Sequence, residues 1–231
     1  MRVDFAGHAG MSLKSVQEGF APVSQAFDMN WTLYDKQVKP KVLIAVSRFG
    51  HCLYDLVHRW RSGLLPVDII AVVSNHDDMQ TFVEWSGLAW HRLPDGKAAQ
   101  EKTLLELAQD ADLVVLARYM QILTPEACAA LAGRCINIHH SFLPSFKGAR
   151  PYQQAFARGV KIIGATAHYV TANLDEGPII EQDVQRVHHG HAVEDLVNFG
   201  RDVECRVLAR AVTWHVQRRV MITGEKTVVF A

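Results

Sequence analysis

An amide and an imidazole stand two residues apart at the end of an apolar segment. They are Asn137 and His139, and their spacing places both side chains on one face of an extended strand. An amide donor beside an imidazole can hold a carbonyl oxygen and move a proton. A lone histidine in this position is also common as a packed core residue, so the pair alone leaves both interpretations open.

A carboxylate follows a second apolar segment, in the loop that leaves it. Residues 164–170 have the composition of a buried strand, and Asp175 lies in the turn behind them, ahead of Gly177 and Pro178. A carboxylate beside an imidazole favours the charged imidazole. Spacing alone does not separate this role from that of an ordinary turn aspartate.

Both segments belong to a series of short apolar runs separated by helical patterns. The runs cover residues 42–46, 67–73, 113–117, 136–138 and 165–170. Unbroken runs of Val, Ile and Leu are typical of strands buried on both faces of a parallel sheet, and their alternation with helices predicts an open α/β sheet. Such sheets bind ligands beyond the carboxyl ends of their strands. The loop after the first run has neither G-x-G-x-x-G nor a P-loop, which argues against a dinucleotide or triphosphate site.

The two ends of the chain have other patterns. Residues 3–5 and 31–33 alternate as strands do, and apolar residues recur at helical spacing over residues 13–27 between them. Residues 1–36 therefore predict a strand–helix–strand half-domain, followed by a linker at 37–40. Near the carboxyl terminus the pattern predicts a long helix over residues 193–218 and a hairpin over 221–229.

Charge and composition exclude several functional classes. Lys plus Arg is 24 and Asp plus Glu is 24, so the net charge of +0 offers no field for nucleic acid or an acidic membrane. No apolar run is long enough to cross a bilayer and no signal-peptide core follows Met1, so a cytoplasmic protein is expected. Four cysteines without a C-x-x-C pair predict reduced core residues. A histidine cluster comprises His188, His189 and His191. It lacks a cysteine or carboxylate at ligand spacing, so we expect a solvated loop there and no metal site.

Two sequence blocks are the most specific motifs in the chain. N-I-H-H-S-F-L-P-S-F-K-G begins at Asn137, and G-A-T-A-H-Y-V-T-A-N-L-D-E-G-P-I-I begins at Gly164. Together they closely resemble the folate-dependent formyltransferase family, whose catalytic Asn, His and Asp match Asn137, His139 and Asp175. The resemblance implies a Rossmann-like, mostly parallel open sheet, the formyltransferase fold, for residues 41–231.

Further segments are similar to the deformylase branch of that family. They are K-V-L-I-A-V-S-R-F-G-H-C-L-Y-D-L from Lys41, the doubled histidine at 139–140, and F-A-P-V-S-Q-A-F-D-M-N-W-T-L-Y-D from Phe20. The resemblance implies hydrolysis of 10-formyltetrahydrofolate to tetrahydrofolate and formate, in one-carbon metabolism and formate supply to purine biosynthesis. The folate is then the substrate, and no tightly bound cofactor is expected.

The last of these segments resembles the end of the ACT domain that precedes the catalytic domain in the deformylase branch. Residues 1–36 are therefore expected to form a partial ACT-like domain that lacks its first half. The apolar residues of this half predict pairing with another chain as a homo-oligomer, packing on the catalytic domain, or local disorder.

The resemblance also implies roles for three groups of residues around the catalytic side chains. The group that supports those side chains comprises Thr166, His168 and His140. The group that binds the folate comprises Arg118, Tyr119, Met120, Gln121, Leu123 and Lys147. The group that narrows the acceptor pocket until only water fits comprises Arg48, Phe49 and His51. For the methionine and aliphatic residues of the second group, a place in the core is the alternative.

Two other functions stay open at this point. The first is formyl transfer from 10-formyltetrahydrofolate to a small amine such as glycinamide ribonucleotide. The second is a folate-binding regulator without turnover, against which the intact Asn137, His139 and Asp175 argue, since binding alone needs no acid–base constellation. Formylation of a transfer RNA is not expected, because the chain ends soon after the hairpin with no room for a basic RNA-binding domain.

Overall fold

The structure is a computed structural model and describes residues 1–7, 10–144 and 151–230. Lys147, which was predicted to bind the folate, lies outside the described residues. The chain divides into two compact units, Met1–Lys39 and Pro40–Ala231.

The first unit contains one regular element among its described residues, helix α1 (Leu13–Ala26). The helix begins with a capping box, in which the backbone N–H groups of Ser12 and Ser15 each donate to the other residue's hydroxyl. The strands predicted at residues 3–5 and 31–33 are wrong, because both segments are irregular. Alternation describes a side-chain pattern, whereas a strand also needs a neighbour for its backbone groups. The ACT-like assignment stays a prediction.

The second unit is built on a sheet of seven strands. In chain order they are β1 (Lys41–Val46), β2 (Asp68–Ser74), β3 (Trp90–Arg92), β4 (Leu113–Leu116), β5 (Cys135–His139), β6 (Ile162–Tyr169) and β7 (Ile179–Arg186). Their spatial order is β3-β2-β1-β4-β5-β6-β7. Strands β1 to β5 pair in parallel, while β6 is antiparallel to both β5 and β7. The prediction of a mostly parallel open sheet is therefore confirmed.

Helices cover the sheet and link its strands. They are α2 (His51–Arg61), α3 (Gln80–Trp85), α4 (Lys97–Leu107), α5 (Pro125–Ala130), α6 (Pro151–Ala157) and α7 (Val193–Val216). A single 3-10 turn, Ala108–Asp110, follows α4. The predicted hairpin is present as β8 (Val220–Thr223) and β9 (Lys226–Val229). Across the described residues, no helix combines the length and the apolar content that crossing a bilayer requires.

Strand β1 shows how the core forms on both faces of the sheet. Val42 and Ile44 are buried on the face that carries α2, α3 and α7, whereas Leu43 and Ala45 are buried on the face that carries α4 and α5. Alternate residues of one strand thus enter two separate apolar layers, which is why the run is apolar without interruption.

The topology brings several loops to one edge of the sheet. Strand order reverses between β1 and β4, and their following loops, which begin at Ser47 and Ala117, leave the same edge. The parallel neighbour β5 ends there at His139. The structure therefore places the start of the first specific motif at the edge where open α/β sheets bind ligands.

Candidate active site

Strands β5 and β6 bring the first catalytic candidates together. Their antiparallel register places Asn137 opposite His168 and His139 opposite Thr166. The amide Nδ2 of Asn137 lies 3.2 Å from Nε2 of His168, while Nδ1 of His168 donates to the carbonyl oxygen of Tyr169 at 2.9 Å. These two contacts fix the orientation of the His168 ring beside the Asn137 amide.

Asp175 completes the group from the loop between β6 and β7. Its Oδ2 lies 3.2 Å from Nδ1 of His139, and its Oδ1 lies 3.7 Å from Nε2 of His168. The residue has a φ of +57°, a left-handed conformation that Asp tolerates better than most residues. Two residues later, a Cβ on Gly177 would lie 1.7 Å from the carbonyl oxygen of Tyr169, so only glycine permits this close return.

The carboxylate is strongly held in its charged form. Burial raises the pKa of Asp175, but hydrogen bonds from His139 and His168 and the charges of both rings outweigh that effect and leave the pKa well below its ordinary value. The carboxylate therefore places a negative charge directly beside the His139 ring. Among the described residues, Nε2 of His139 is buried and meets no hydrogen-bond partner, so its hydrogen-bonding capacity is available to another group.

Thr166 organises the loop that follows β5. Its hydroxyl donates to the carbonyl of Ser141 at 2.9 Å and accepts from the backbone N–H of Leu143 at 3.1 Å. The side chain of Gln182 on β7 bonds both the Thr166 hydroxyl and the Leu143 carbonyl. The buried Thr166 therefore fixes the chain immediately beyond the two histidines.

A second polar cluster, which we call the Glu204 cluster, lies beside the two histidines and comprises His51, Arg118, His140, Tyr152 and Glu204. Glu204 on α7 has a side chain only 1% exposed. It accepts from Tyr152 at 2.6 Å, lies 2.8 Å from Nε2 of His51, and lies 3.3 Å from Nε of Arg118. A guanidinium nitrogen of Arg118 also contacts Nδ1 of His140.

In this cluster the negative charge of Glu204 lies beside the positive charge of Arg118. Burial raises the pKa of Glu204, but the hydrogen bond from His51 and the charges of Arg118 and His51 outweigh it and lower the pKa below its ordinary value. Burial and the charge of Arg118 lower the pKa of His140 to about 4. Glu204 is therefore ionised and His140 neutral near pH 7. The His140 ring stacks on that of His139, with centroids 5.2 Å apart and an interplanar angle of 14°.

The stretch predicted to bind the folate divides into a buried part and an exposed part. Leu123 belongs to the core, as the alternative allowed, and so does Tyr119, whereas Met120 and Ile122 are 53% and 59% exposed. Gln121 is half-buried. The backbone N–H of Met120 donates to the Ser47 hydroxyl at 3.1 Å, which ties this loop to the end of β1. Exposed apolar side chains in the loop after β4 are suited to an apolar wall.

The three residues predicted to narrow the acceptor pocket differ in their exposure to solvent. His51 joins the Glu204 cluster, whereas Arg48 and Phe49 are exposed. Arg48 lies near His76, with Nε and Nδ1 3.5 Å apart. Only His51 therefore reaches the buried side of the site.

Metal ligation has one geometric candidate among the described residues, formed by His51, Cys52 and Glu204. The guanidinium of Arg118 lies against the same carboxylate and disfavours a further cation there. The cluster of His188, His189 and His191 forms the loop before α7, where the first two are exposed.

The family model for formyl transferases matches residues 40–212, which contain every residue of the site. The chain belongs to the formyl transferase family. A formyltetrahydrofolate deformylase from Corynebacterium sp. (strain P-1) is 52% identical to it, over 99% of this chain and 82% of the relative.

Solved structures of the family give the same fold. A crystal structure of a formyltetrahydrofolate deformylase from Pseudomonas syringae pv. tomato str. DC3000 superposes with a TM-score of 0.93 and 49% identity, over 96% of this chain and 76% of that one. A glycinamide ribonucleotide transformylase from Symbiobacterium toebii superposes with a TM-score of 0.80 and 30% identity, over 87% of this chain and 99% of that one. The likeness is therefore greater to the deformylase than to the transformylase.

Sequence analysis did not find two members of the site, Tyr152 and Glu204. Both lie in helices and are separated by 52 residues in sequence. The one signal was Gly200, since a Cβ there would lie 2.1 Å from the Tyr152 hydroxyl. A glycine inside a long predicted helix indicates that another group approaches the helix closely.

Proposed function

We propose that this protein hydrolyses 10-formyltetrahydrofolate to tetrahydrofolate and formate in one-carbon metabolism. One observation carries the proposal: the Asn137, His139 and Asp175 side chains converge at the carboxyl edge of the sheet, in a chain 52% identical to a formyltetrahydrofolate deformylase. Water is the acceptor, and no tightly bound cofactor takes part.

The first step in this proposal is attack of the water oxygen on the formyl carbon. The π electrons of the formyl C=O move onto its oxygen, which becomes an oxyanion. The Asn137 amide and the cationic His139 are the groups that stabilise this charge, and one such donor is worth about a hundred- to a thousandfold in rate. The buried Nε2 of His139, which has no partner among the described residues, supports this assignment.

The second step breaks the bond between the formyl carbon and the nitrogen. That nitrogen gains a proton, the attacking water loses one, and formic acid leaves and releases its remaining acidic proton to water to become formate. The His139–Asp175 pair carries the proton between them, since its two members lie 3.2 Å apart. Asp175 remains the charge that keeps His139 cationic and the acceptor that orients the water.

The folate in this proposal lies over the loop that follows β4. Met120 supplies an apolar wall, supported by its 53% exposure, and the backbone near Gln121 and Leu123 meets the pterin edge. Lys147 is assigned to the anionic glutamate tail. Arg118 was also predicted to bind the folate, but its guanidinium is engaged by Glu204 and His140, so it contributes mainly through that cluster.

The experiment that tests the proposal measures the products in ¹⁸O-labelled water. Purified protein is incubated with 10-formyltetrahydrofolate, with and without glycinamide ribonucleotide, and formate is analysed by mass spectrometry. We expect one labelled oxygen in each formate and a rate independent of the amine. Turnover that requires the amine would replace hydrolysis with formyl transfer, and folate binding without any product would indicate a regulator. His139→Asn is the inactive control.

The cellular location and the oligomeric state are proposed from the cysteines and from the amino-terminal unit. We assign a cytoplasmic location, supported by free thiols at all four cysteines. We also assign self-association through the amino-terminal unit, treated as a partial ACT-like domain, because Phe5 and Phe27 there are 58% and 75% exposed. Light scattering on the purified chain tests the second point, and a monomer at micromolar concentration would remove it.

A further inference from the structure

Glu204 lies at the centre of the Glu204 cluster and contacts groups from three other parts of the fold. His51 comes from the start of α2, Tyr152 from α6, and Arg118 from the loop after β4. All three approach a carboxylate whose side chain is 1% exposed. Taking a carboxylate out of water costs free energy, which its three partners must offset.

Arg118 connects this carboxylate to the catalytic histidine. A guanidinium can only donate, so its contact with Nδ1 of His140 leaves the His140 proton on Nε2. The His140 ring in turn stacks on His139. The side chain of Arg118 is 10% exposed, so solvent screens its charge poorly. An uncompensated cation in this position would oppose protonation of both imidazoles.

We propose that Glu204 is a positioning residue for the hydrolysis: it holds Arg118 against His140 and cancels the guanidinium charge, so that His140 stays neutral and His139 alone of the stacked pair is cationic. The inference rests on the proposed function only in that a cationic His139 serves hydrolysis. Glu204 acts through Arg118 and has no assigned contact with the substrate.

The charged and titratable groups around the stacked histidines come from every element that packs there. Asp175 follows β6 and favours a cationic His139, and His168 lies on β6 beside it. The remaining groups are Arg118 after β4, Tyr152 on α6, His51 on α2 and Glu204 on α7. Removal of Asp175 and removal of Glu204 therefore both weaken proton binding by His139, whereas removal of Arg118 strengthens it.

The test compares three variants by the pKa of His139, measured by NMR without folate. In Glu204→Gln we expect the proton affinity of His139 to fall about two- to fivefold, as for a screened charge that is not in direct contact. In Arg118→Gln we expect it to rise by a similar factor. In the double variant the two changes cancel to within about twofold, because both charges are gone.

A matched control separates charge from damage to the helix. Asp183→Asn also removes a carboxylate that pairs with α7, since Asp183 lies 3.5 Å from both Arg206 and Arg210. We expect no change in the pKa of His139 in this variant. The full chain is used throughout, and circular dichroism establishes that each variant is folded. Should Glu204→Gln fail to fold, Arg118→Gln still tests the direction of the change in the His139 pKa. The double variant still tests whether the two changes cancel.

Turnover provides the second readout. If cationic His139 is the active form, the rate is lost as pH rises through its pKa, so Glu204→Gln moves the alkaline limb of kcat to lower pH while KM changes less than kcat. An unchanged His139 pKa in Glu204→Gln, or a double variant no closer to the original protein, overturns the inference. A protein that releases no formate but shows the expected pattern of pKa changes overturns the proposed function instead.

Discussion

Asp175→Asn removes the charge that the site holds closest to His139. The carboxylate accepts from His139 at 3.2 Å and lies 3.7 Å from His168, and both imidazole side chains are less than 10% exposed. A hydrogen bond between charged groups contributes about 1.5–3 kcal/mol net, and the weaker second contact brings the total to about 3–4 kcal/mol. Since about 1.4 kcal/mol corresponds to a tenfold change in rate, we expect kcat/KM to fall about 10²–10³-fold.

The assay follows formate release from 10-formyltetrahydrofolate under kcat/KM conditions across the pH range. The matched control is Glu176→Gln, which removes the exposed carboxylate next to Asp175 in the same loop. We expect this control to change kcat/KM by less than about twofold, as is usual for an exposed charge. Isosteric Asn at 175 keeps the loop in shape, so the loss reflects the missing charge rather than unfolding.

Retention of more than a tenth of the original kcat/KM by Asp175→Asn would refute this reasoning. So would an equal loss in Glu176→Gln, because the effect would then belong to the loop and not to the contact with His139. A loss that appears only in KM would place Asp175 in ground-state binding, since an interaction made in the transition state lowers kcat.

The remaining predictions concern the oxyanion, the loop and stability. Asn137→Ala is expected to lower kcat about 10²–10³-fold by removing one donor, and steady-state kinetics that show a change in KM alone would contradict this. Gly177→Ala places a Cβ 1.7 Å from the Tyr169 carbonyl oxygen, so we expect a Tm several degrees lower by calorimetry, while Gly19→Ala, with nothing within 4 Å, serves as control. Burial and a nearby arginine lower the pKa of His215 to about 4. The unfolded chain therefore binds that proton more tightly, and the free energy of unfolding should decline as pH falls from about 6.5 to 4. His215→Gln should flatten this decline in urea titrations, and an unchanged slope would oppose the assignment.

The sheet was largely predictable because its central strands are buried on both faces. Each of the five apolar runs coincides to within one residue with part or all of a strand, in the order β1, β2, β4, β5 and β6. Strand β7 was not predicted, since it reads I-I-E-Q-D-V-Q-R and only Ile180 in it is buried. Strand β3 has three residues and one partner strand, so a periodic pattern has no length in which to develop.

The site was predictable only where a single segment carries the chemistry. Asn137 and His139 share a strand, and the motif around Asp175 fixes its place in the following loop. The Glu204 cluster has no such segment, because Glu204 and His51 are 153 residues apart and meet only when α2 and α7 pack on the same face of the sheet. Contacts of this kind depend on the topology, and no local pattern in the sequence encodes them.

Two side chains of the site depend on a backbone conformation that most residues avoid. Asp175 and Arg118 have φ values of +57° and +65°, and the left-handed region costs about 1–2 kcal/mol for a residue with a Cβ. Both positions are held from outside: the Arg118 carbonyl accepts from the backbone N–H of Ser47 at 3.2 Å, and Gly177 seats the Asp175 loop on Tyr169. Such conformations persist only where neighbouring contacts over-determine them. The backbone strain therefore lies at Asp175, which faces His139, and at Arg118, which faces His140. Contacts with the neighbouring strands hold both residues in this conformation.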